Sequence, residues 1–441
     1  MSRRSILAAT ALVLAPLAAL LVAAALPKAT TVRLSLGLLG AEPNADCDRL
    51  AISGNGRYVV FGSGATNLVA DDTNATLDVF LCDTKTLAIE RVSVDSAGAE
   101  GNGTSNFPVV STTGRWVAFT SGATNLAGVD GNAEDDVFVR DRKKGVTTRV
   151  SVGSGGIEGN AESEDPAITG NGRYVAFESD ATNLVDGDLN GTSDVFVHDT
   201  KTGETTRVSV ATSGVEGDDD SSLPAISANG RWVVFRSDAT NLVPNDANAS
   251  LDAFLHDRKS GTTVACSVDP AGIPQGECAG RVGISANGRY VIFNSEAAGL
   301  VEGDTNGTDV MDTFVFDRVK GTVERVTLGP GDVEAENTSG GGGIFSFTVA
   351  LSGSGRFASF PSAATNLVEG GSTGEQHVYV RDRKKHVTLI MSLGPADVLG
   401  DGSSPEAALS KSGRIVAFSS DAENLVDGDL AGNEDVFVRR W

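Results

Sequence analysis

Residues 186–194 read DGDLNGTSD. Asp186, Asp188, Asn190 and Asp194 bring four oxygen-bearing side chains into one short loop around Gly191. Calcium takes six to eight oxygens, several from carboxylates, so this stretch is a candidate calcium site completed by a backbone carbonyl and water. It is not an EF-hand, because the twelfth position is Val197 where that loop needs a Glu. Related stretches recur as ADDTNATLD (70–78), GVDGNAEDD (128–136), PNDANASLD (244–252), EGDTNGTDVMD (302–312), EGGSTGEQH (369–377) and DGDLAGNED (427–435). Each of them loses an oxygen donor or breaks the spacing. A recurring Asp/Asn column with a variable ligand count is what a turn motif produces, since both side chains bond their own backbone. Calcium is therefore expected at 186–194 alone, and turns elsewhere.

Other chemistry is thinner. GGSTG at 370–374 formally matches G-x-S-x-G, but a nucleophile elbow needs a strand-to-helix turn with Asp and His following. No helix is predicted there, and only His377 and His386 come after. His198 and His256 share one repeat position that elsewhere holds Arg140 or Cys82, which suits a structural role. No catalytic residue is assigned. Cys47, Cys82, Cys266 and Cys278 form an even set without zinc-ligand spacing. In an exported chain they permit disulfides. A local Cys266–Cys278 bridge is expected, leaving Cys47 with Cys82, although sequence alone allows three pairings.

The elements that carry these residues are repeats. The Gly-Arg pair recurs with its arginine at Arg57, Arg115, Arg173, Arg231, Arg289, Arg356 and Arg414, in steps of 58, 58, 58, 58, 67 and 58 residues. A phenylalanine follows four residues later every time, and a second aromatic marks each DVFV-like segment. Each unit holds four short runs of Val, Ile, Phe and Thr separated by turn chemistry, such as Asn171-Gly172. Four antiparallel strands per unit and seven units predict an all-β, seven-bladed propeller; a solenoid of sheets is the alternative. The last unit stops before its fourth strand, and TTVRLSL at 30–36 supplies it from the opposite terminus, so residues 31–36 should complete the seventh blade.

The S-x-N-G-R-[YW]-V-x-F … DVFV-x-D pattern resembles the TolB-type, WD40-like propeller repeat of bacterial envelope and secreted proteins. The resemblance covers residues 31–441 and implies fold more than function, because such propellers serve as scaffolds, binding platforms and enzyme modules. The chain departs from TolB itself in lacking its amino-terminal domain and in having seven units for six. The 186–194 spacing also resembles the calcium loops of integrin-type propellers.

Strand order puts both long connections of each blade on one face, and they are acidic; the short turns share the other. There the arginine of the Gly-Arg pair faces an Asp, as with Arg57 and Asp83, Arg173 and Asp199, or Arg231 and Asp257, which reads as register-setting; blade seven breaks the rule with Arg440 in place of the Asp. The formal charge of −23 argues against nucleic acid and anionic membranes as partners. Residues 1–25 read as a signal peptide, with an uncleaved anchor as the alternative and Arg3-Arg4 compatible with general or twin-arginine export. The expected protein is an exported, periplasmic or extracellular monomer with no later membrane span. It would act as a noncatalytic scaffold for a protein, small-molecule or glycan ligand on the acidic long-loop face. The alternative is a glycan-active or metal-assisted hydrolase working in the central funnel. Histidines and carboxylates converging on that funnel would favour the enzyme, and small or apolar inner strands the scaffold.

Overall fold

The computed structural model describes residues 30–305, 310–336, 348–429 and 432–441. The expected signal peptide, residues 1–25, lies outside them. The described residues form seven four-stranded antiparallel sheets, each built from consecutive strands except the last. In that sheet Thr30–Arg33 pairs with Asp435–Arg440, with Arg33 opposite Phe437, the register that Arg207 and Phe196 take in the third blade. The predicted propeller and its closure by the amino-terminal strand are both present. Blades are numbered below from the unit of Arg57 (blade 1) to that of Arg414 (blade 7).

A third strand such as Asp194–Asp199 is buried along its whole length because neighbouring blades cover both faces. Its alternation therefore sorts residues between two apolar layers and not between core and water. Val137 and Val139 of blade 2 meet Val175, Phe177 and Phe196 of blade 3 in one such layer. The two repeated aromatics lie opposite each other on adjacent strands, with Phe177 and Phe196 ring centroids 6.0 Å apart. Leu34, Val436 and Val438 meet Val59, Phe61 and Phe80 in the layer that closes the ring.

The Gly-Arg-aromatic repeat locks one blade to the next. Gly172 has φ of +72°, and a methyl group there would fall inside the Trp116 ring of blade 2. Gly230 stands in the same way against Tyr174, and Gly56 against Ile415 across the closure. Only glycine fits both the left-handed backbone and the ring. The backbone bond from Lys411 N–H to the Gly54 carbonyl, 3.0 Å, joins blade 7 to blade 1 at the same end.

The expected Cys266–Cys278 disulfide is absent, and all four cysteines are free and buried. Each takes a core column of the repeat. Cys266 falls where blades 2 and 3 have Val150 and Val208, and Cys47 and Cys278 open inner strands opposite Ser63 and Ser295. The chain between Cys266 and Cys278 crosses from an outer strand to the next inner one, and both pack into one apolar layer as unbridged thiols. Burial pushes the Cys82 and Cys278 thiols up to about 12.

Candidate functional site

Every inner strand of blades 1 to 5 carries a bulge where its pairing register breaks. In blades 1 to 4 a non-glycine residue takes positive φ there: Arg49, Phe107, Asp165 and Leu223, at 51°, 51°, 48° and 50°. Such a bulge re-aims a side chain, and these four turn into the funnel. Together with Arg281, Thr348 and Glu406 they line a central pocket of about 340 Å³. The Arg49 guanidinium lies 4.4 Å from the Phe107 ring centroid and that of Arg281 lies 5.4 Å away. Arg281 is ion-paired with Asp165 across the pocket.

Acids converge behind this lining. Carboxylate oxygens of Glu164, Asp165 and Glu178 lie within 4.8 Å of one another. Glu178 accepts the Leu223 N–H, and Glu406 accepts that of Leu50 at 3.2 Å. Burial, then the charge of Asp165, pushes Glu164 up to about 7 and Glu178 to about 8. On the other side burial and Glu406 raise Asp48 to about 6, and burial foremost raises Glu434 to about 8. No histidine lines the pocket among the described residues.

The predicted calcium residues are only partly gathered. Asp188 and Asp194 come together with Glu216 from the following connection, their carboxylate oxygens within 4.8 Å. Among them sits a guanidinium: Arg207 Nη1 is 3.4 Å from Asp188, 2.8 Å from Asp194 and 2.6 Å from Glu216. Asp186 is exposed and outside the group. Asn190 makes a turn, accepting the Thr192 N–H at 3.3 Å and donating to Asp194 and to the Gly217 carbonyl at 3.3 and 3.0 Å.

The same arrangement recurs as Arg91 with Asp72, Asp78 and Glu100, and as Arg325 with Asp304, Asp312 and Glu334. Arg149 joins Asp136 and Glu158, while the closing strand's Arg33 joins Asp429, Asp435 and Glu42. Arginine and glutamate are nine residues apart in all five blades, a periodic signal that the loop motif alone does not contain. They vanish together, as Ala265 and Pro274 in blade 4 and as Ile390 and Leu399 in blade 6.

On the opposite face the expected arginine–aspartate pairs form, with Arg57–Asp83 and Arg173–Asp199 both at 2.7 Å. These turns also hold Lys85, Lys143, Lys144, Lys201, Lys259, Lys320, Lys384, Lys385 and Lys411, all exposed. That is nine of the chain's ten lysines; Lys28 lies outside the described residues. The remaining sequence candidates are structural: His198 and His256 are buried, each Nδ1 2.9 Å from a threonine hydroxyl, and burial lowers both. Ser372 of GGSTG donates to the Ala364 carbonyl at 3.1 Å.

No protein-family model and no curated protein sequence matches this chain. Among solved structures it is similar to an oligogalacturonate lyase in complex with manganese, at a TM-score of 0.55 and 12% identity over 93% of this chain and 92% of that one. An oligogalacturonate lyase from Vibrio parahaemolyticus gives 0.54 and 11%, covering 93% of each chain. The β-propeller domain of the Trilobed protease from Pyrococcus furiosus gives 0.52 and 10%, over 89% and 95%. Identities this low show a shared fold alone. The TolB-type resemblance likewise reaches the propeller fold. Among the described residues no helix is long and apolar enough to cross a membrane.

Proposed function

We propose that this protein is an exported, noncatalytic binding propeller whose central pocket takes a small ligand with a cationic group on an apolar body. The supporting observation is the charge around the pocket, where Asp48, Glu164, Asp165, Glu178, Glu406 and Glu434 stand against Arg49, Arg281 and, behind the lining, Arg236. Burial and mutual repulsion hold several of these carboxyls protonated near neutrality, and an entering amine or guanidinium supplies the counter-charge that lets them ionise. Phe107 and Leu223 offer its body an apolar wall. The volume is at the small end of ligand sites. Because a bound cation displaces carboxyl protons, affinity rises with pH between about 6 and 8. Export rests on the paired arginines and the apolar run that open the sequence.

A thermal-shift titration with organic cations and their neutral analogues, at pH 6.0 and 8.5, tests this reading. Cations should raise the melting temperature, more so at pH 8.5, and Glu178→Gln should weaken the effect. A response confined to anions or neutral sugars would overturn it. A second reading, a glycan-active or metal-assisted enzyme, draws support from the Glu164, Asp165 and Glu178 group and from the manganese in the similar lyase structure. The Arg281–Asp165 ion pair competes with a metal there, which favours the binding reading. Manganese-dependent cleavage of an oligogalacturonate would reverse that order.

A further inference from the structure

We infer that the short-turn face docks on an anionic lipid surface. The inference is independent of the central pocket and starts from where the charge lies. The chain is strongly acidic in sum, yet nine lysines project from one end of the blades. The aspartates at that end are already engaged, each by the arginine that opens its neighbouring strand. Among the described residues no lysine belongs to an ion pair, so the ammonium groups are the uncompensated charge of this face. Acids do stand at this end, but Glu90 and Glu324 are ion-paired with Arg142 and Arg383, and Asp332 with His386, which leaves Glu204 against nine lysines. The carboxylate clusters gather at the other end, around the buried guanidiniums.

Thickness keeps the two faces apart electrostatically. A six-residue strand spans about 20 Å, roughly two and a half screening lengths at physiological salt. A surface that touches the lysines therefore feels little of the acidic face, and net charge is a poor guide to what this end attracts.

The layout selects a plane over a linear polyanion. Basic turns recur blade by blade around a ring and do not form a stripe or groove. Short turns of nearly constant length keep the ring level. Exposed aliphatics stand among the lysines: Leu87, Val146, Val319 and Val387 are 41–64% exposed in or beside these same turns. Basic groups at headgroup level with aliphatic tips beside them suit a bilayer surface, each basic group raising the partition about fivefold.

The test is co-sedimentation of the full chain with vesicles of pure phosphatidylcholine and with vesicles containing about one-third phosphatidylglycerol, in 0.1 M salt. The ratio of the two partition coefficients is the readout, because an apolar segment at residues 5–25 would favour neither composition. The parent should prefer the anionic vesicles at least tenfold. The fourfold variant Lys143→Glu, Lys144→Glu, Lys384→Glu, Lys385→Glu should lose that preference at an unchanged melting temperature, and Leu87→Ser with Val319→Ser should lower binding to both vesicles while the ratio stays. If the fourfold variant melts early, the single Lys143→Glu and Lys384→Glu variants must each lower the ratio severalfold. Equal binding to both vesicles would overturn the inference. So would binding to soluble polyphosphate but not to vesicles, or salt-sensitive stacking of this face on the acidic face of a second copy.

Discussion

Replacing Arg207 with alanine tests whether a buried guanidinium is what lets blade 3 keep its carboxylates. The Arg207 side chain is 10% exposed, and those of Asp188 and Asp194 are 3% and 0% exposed. Even beside Arg207, burial and then Asp194 push Asp188 up. Removing one partner from a buried ion pair costs about 3–5 kcal/mol, because the other is left without a counter-charge. At about 2.1 cal/mol/K per residue, a chain of this size has an unfolding entropy near 0.9 kcal/mol/K, so the melting point should fall by about 3–6 °C. Burial dominates at this position with or without the arginine: Asp246 of blade 4, where Ala265 replaces it, is pushed up to about 6, and so is Asp72 beside Arg91. The freed carboxyls of the variant should likewise take up protons, making the loss smaller at pH 5 than at pH 8. Millimolar calcium should restore part of the lost stability in Arg207→Ala while moving the parent little, since the parent's guanidinium competes for the same oxygens. Scanning calorimetry at both pH values, with and without calcium, measures all of this. A loss below about 1 kcal/mol, the range of an exposed pair, would refute the account.

Three further outcomes are expected. Gly172→Ala should lower the melting point by several degrees, through its left-handed φ and the Trp116 ring, and Trp116→Ala should relieve only the ring contact, as a double-mutant cycle would show. Deleting residues 31–36 should strip the outer strand from blade 7 and Arg33 from Asp429 and Asp435, giving aggregation or a large stability loss by light scattering and melting. Burial pushes Glu164, Glu178 and Glu434 up to about 7, 8 and 8 in the folded state, above the unfolded value of about 4.3, so the native state holds the extra protons and stability falls as pH rises through that range. The buried histidines act oppositely only below about 6.5, so melting points between pH 6.5 and 8.5 should decline, and Glu434→Gln should flatten the slope.

The sequence by itself determined the blade count, the four strands per blade and the closure, because a fixed period of Gly-Arg turns and apolar runs is local information. Arg33 even carries the offset that identifies its strand as belonging to blade 7. It also located the arginine–aspartate pairs, since strand order alone brings those residues to one end. The cation inside the Asp188 cluster was not legible in the loop motif. It comes from Arg207 on the adjoining outer strand, while Glu216 comes from the connection after it, and only their shared nine-residue spacing hinted at the link. The pocket was hidden for a different reason. Arg49, Phe107, Asp165 and Leu223 share a repeat position but no chemistry, and only the bulge that turns them inward makes them neighbours. Cys266 and Cys278 err the other way, close along the chain and in one core layer, yet each a free thiol at a different repeat position. Net charge said nothing about placement, because a sum over residues has no direction, whereas antiparallel strands sent the lysine turns to one face and most of the acidic connections to the other.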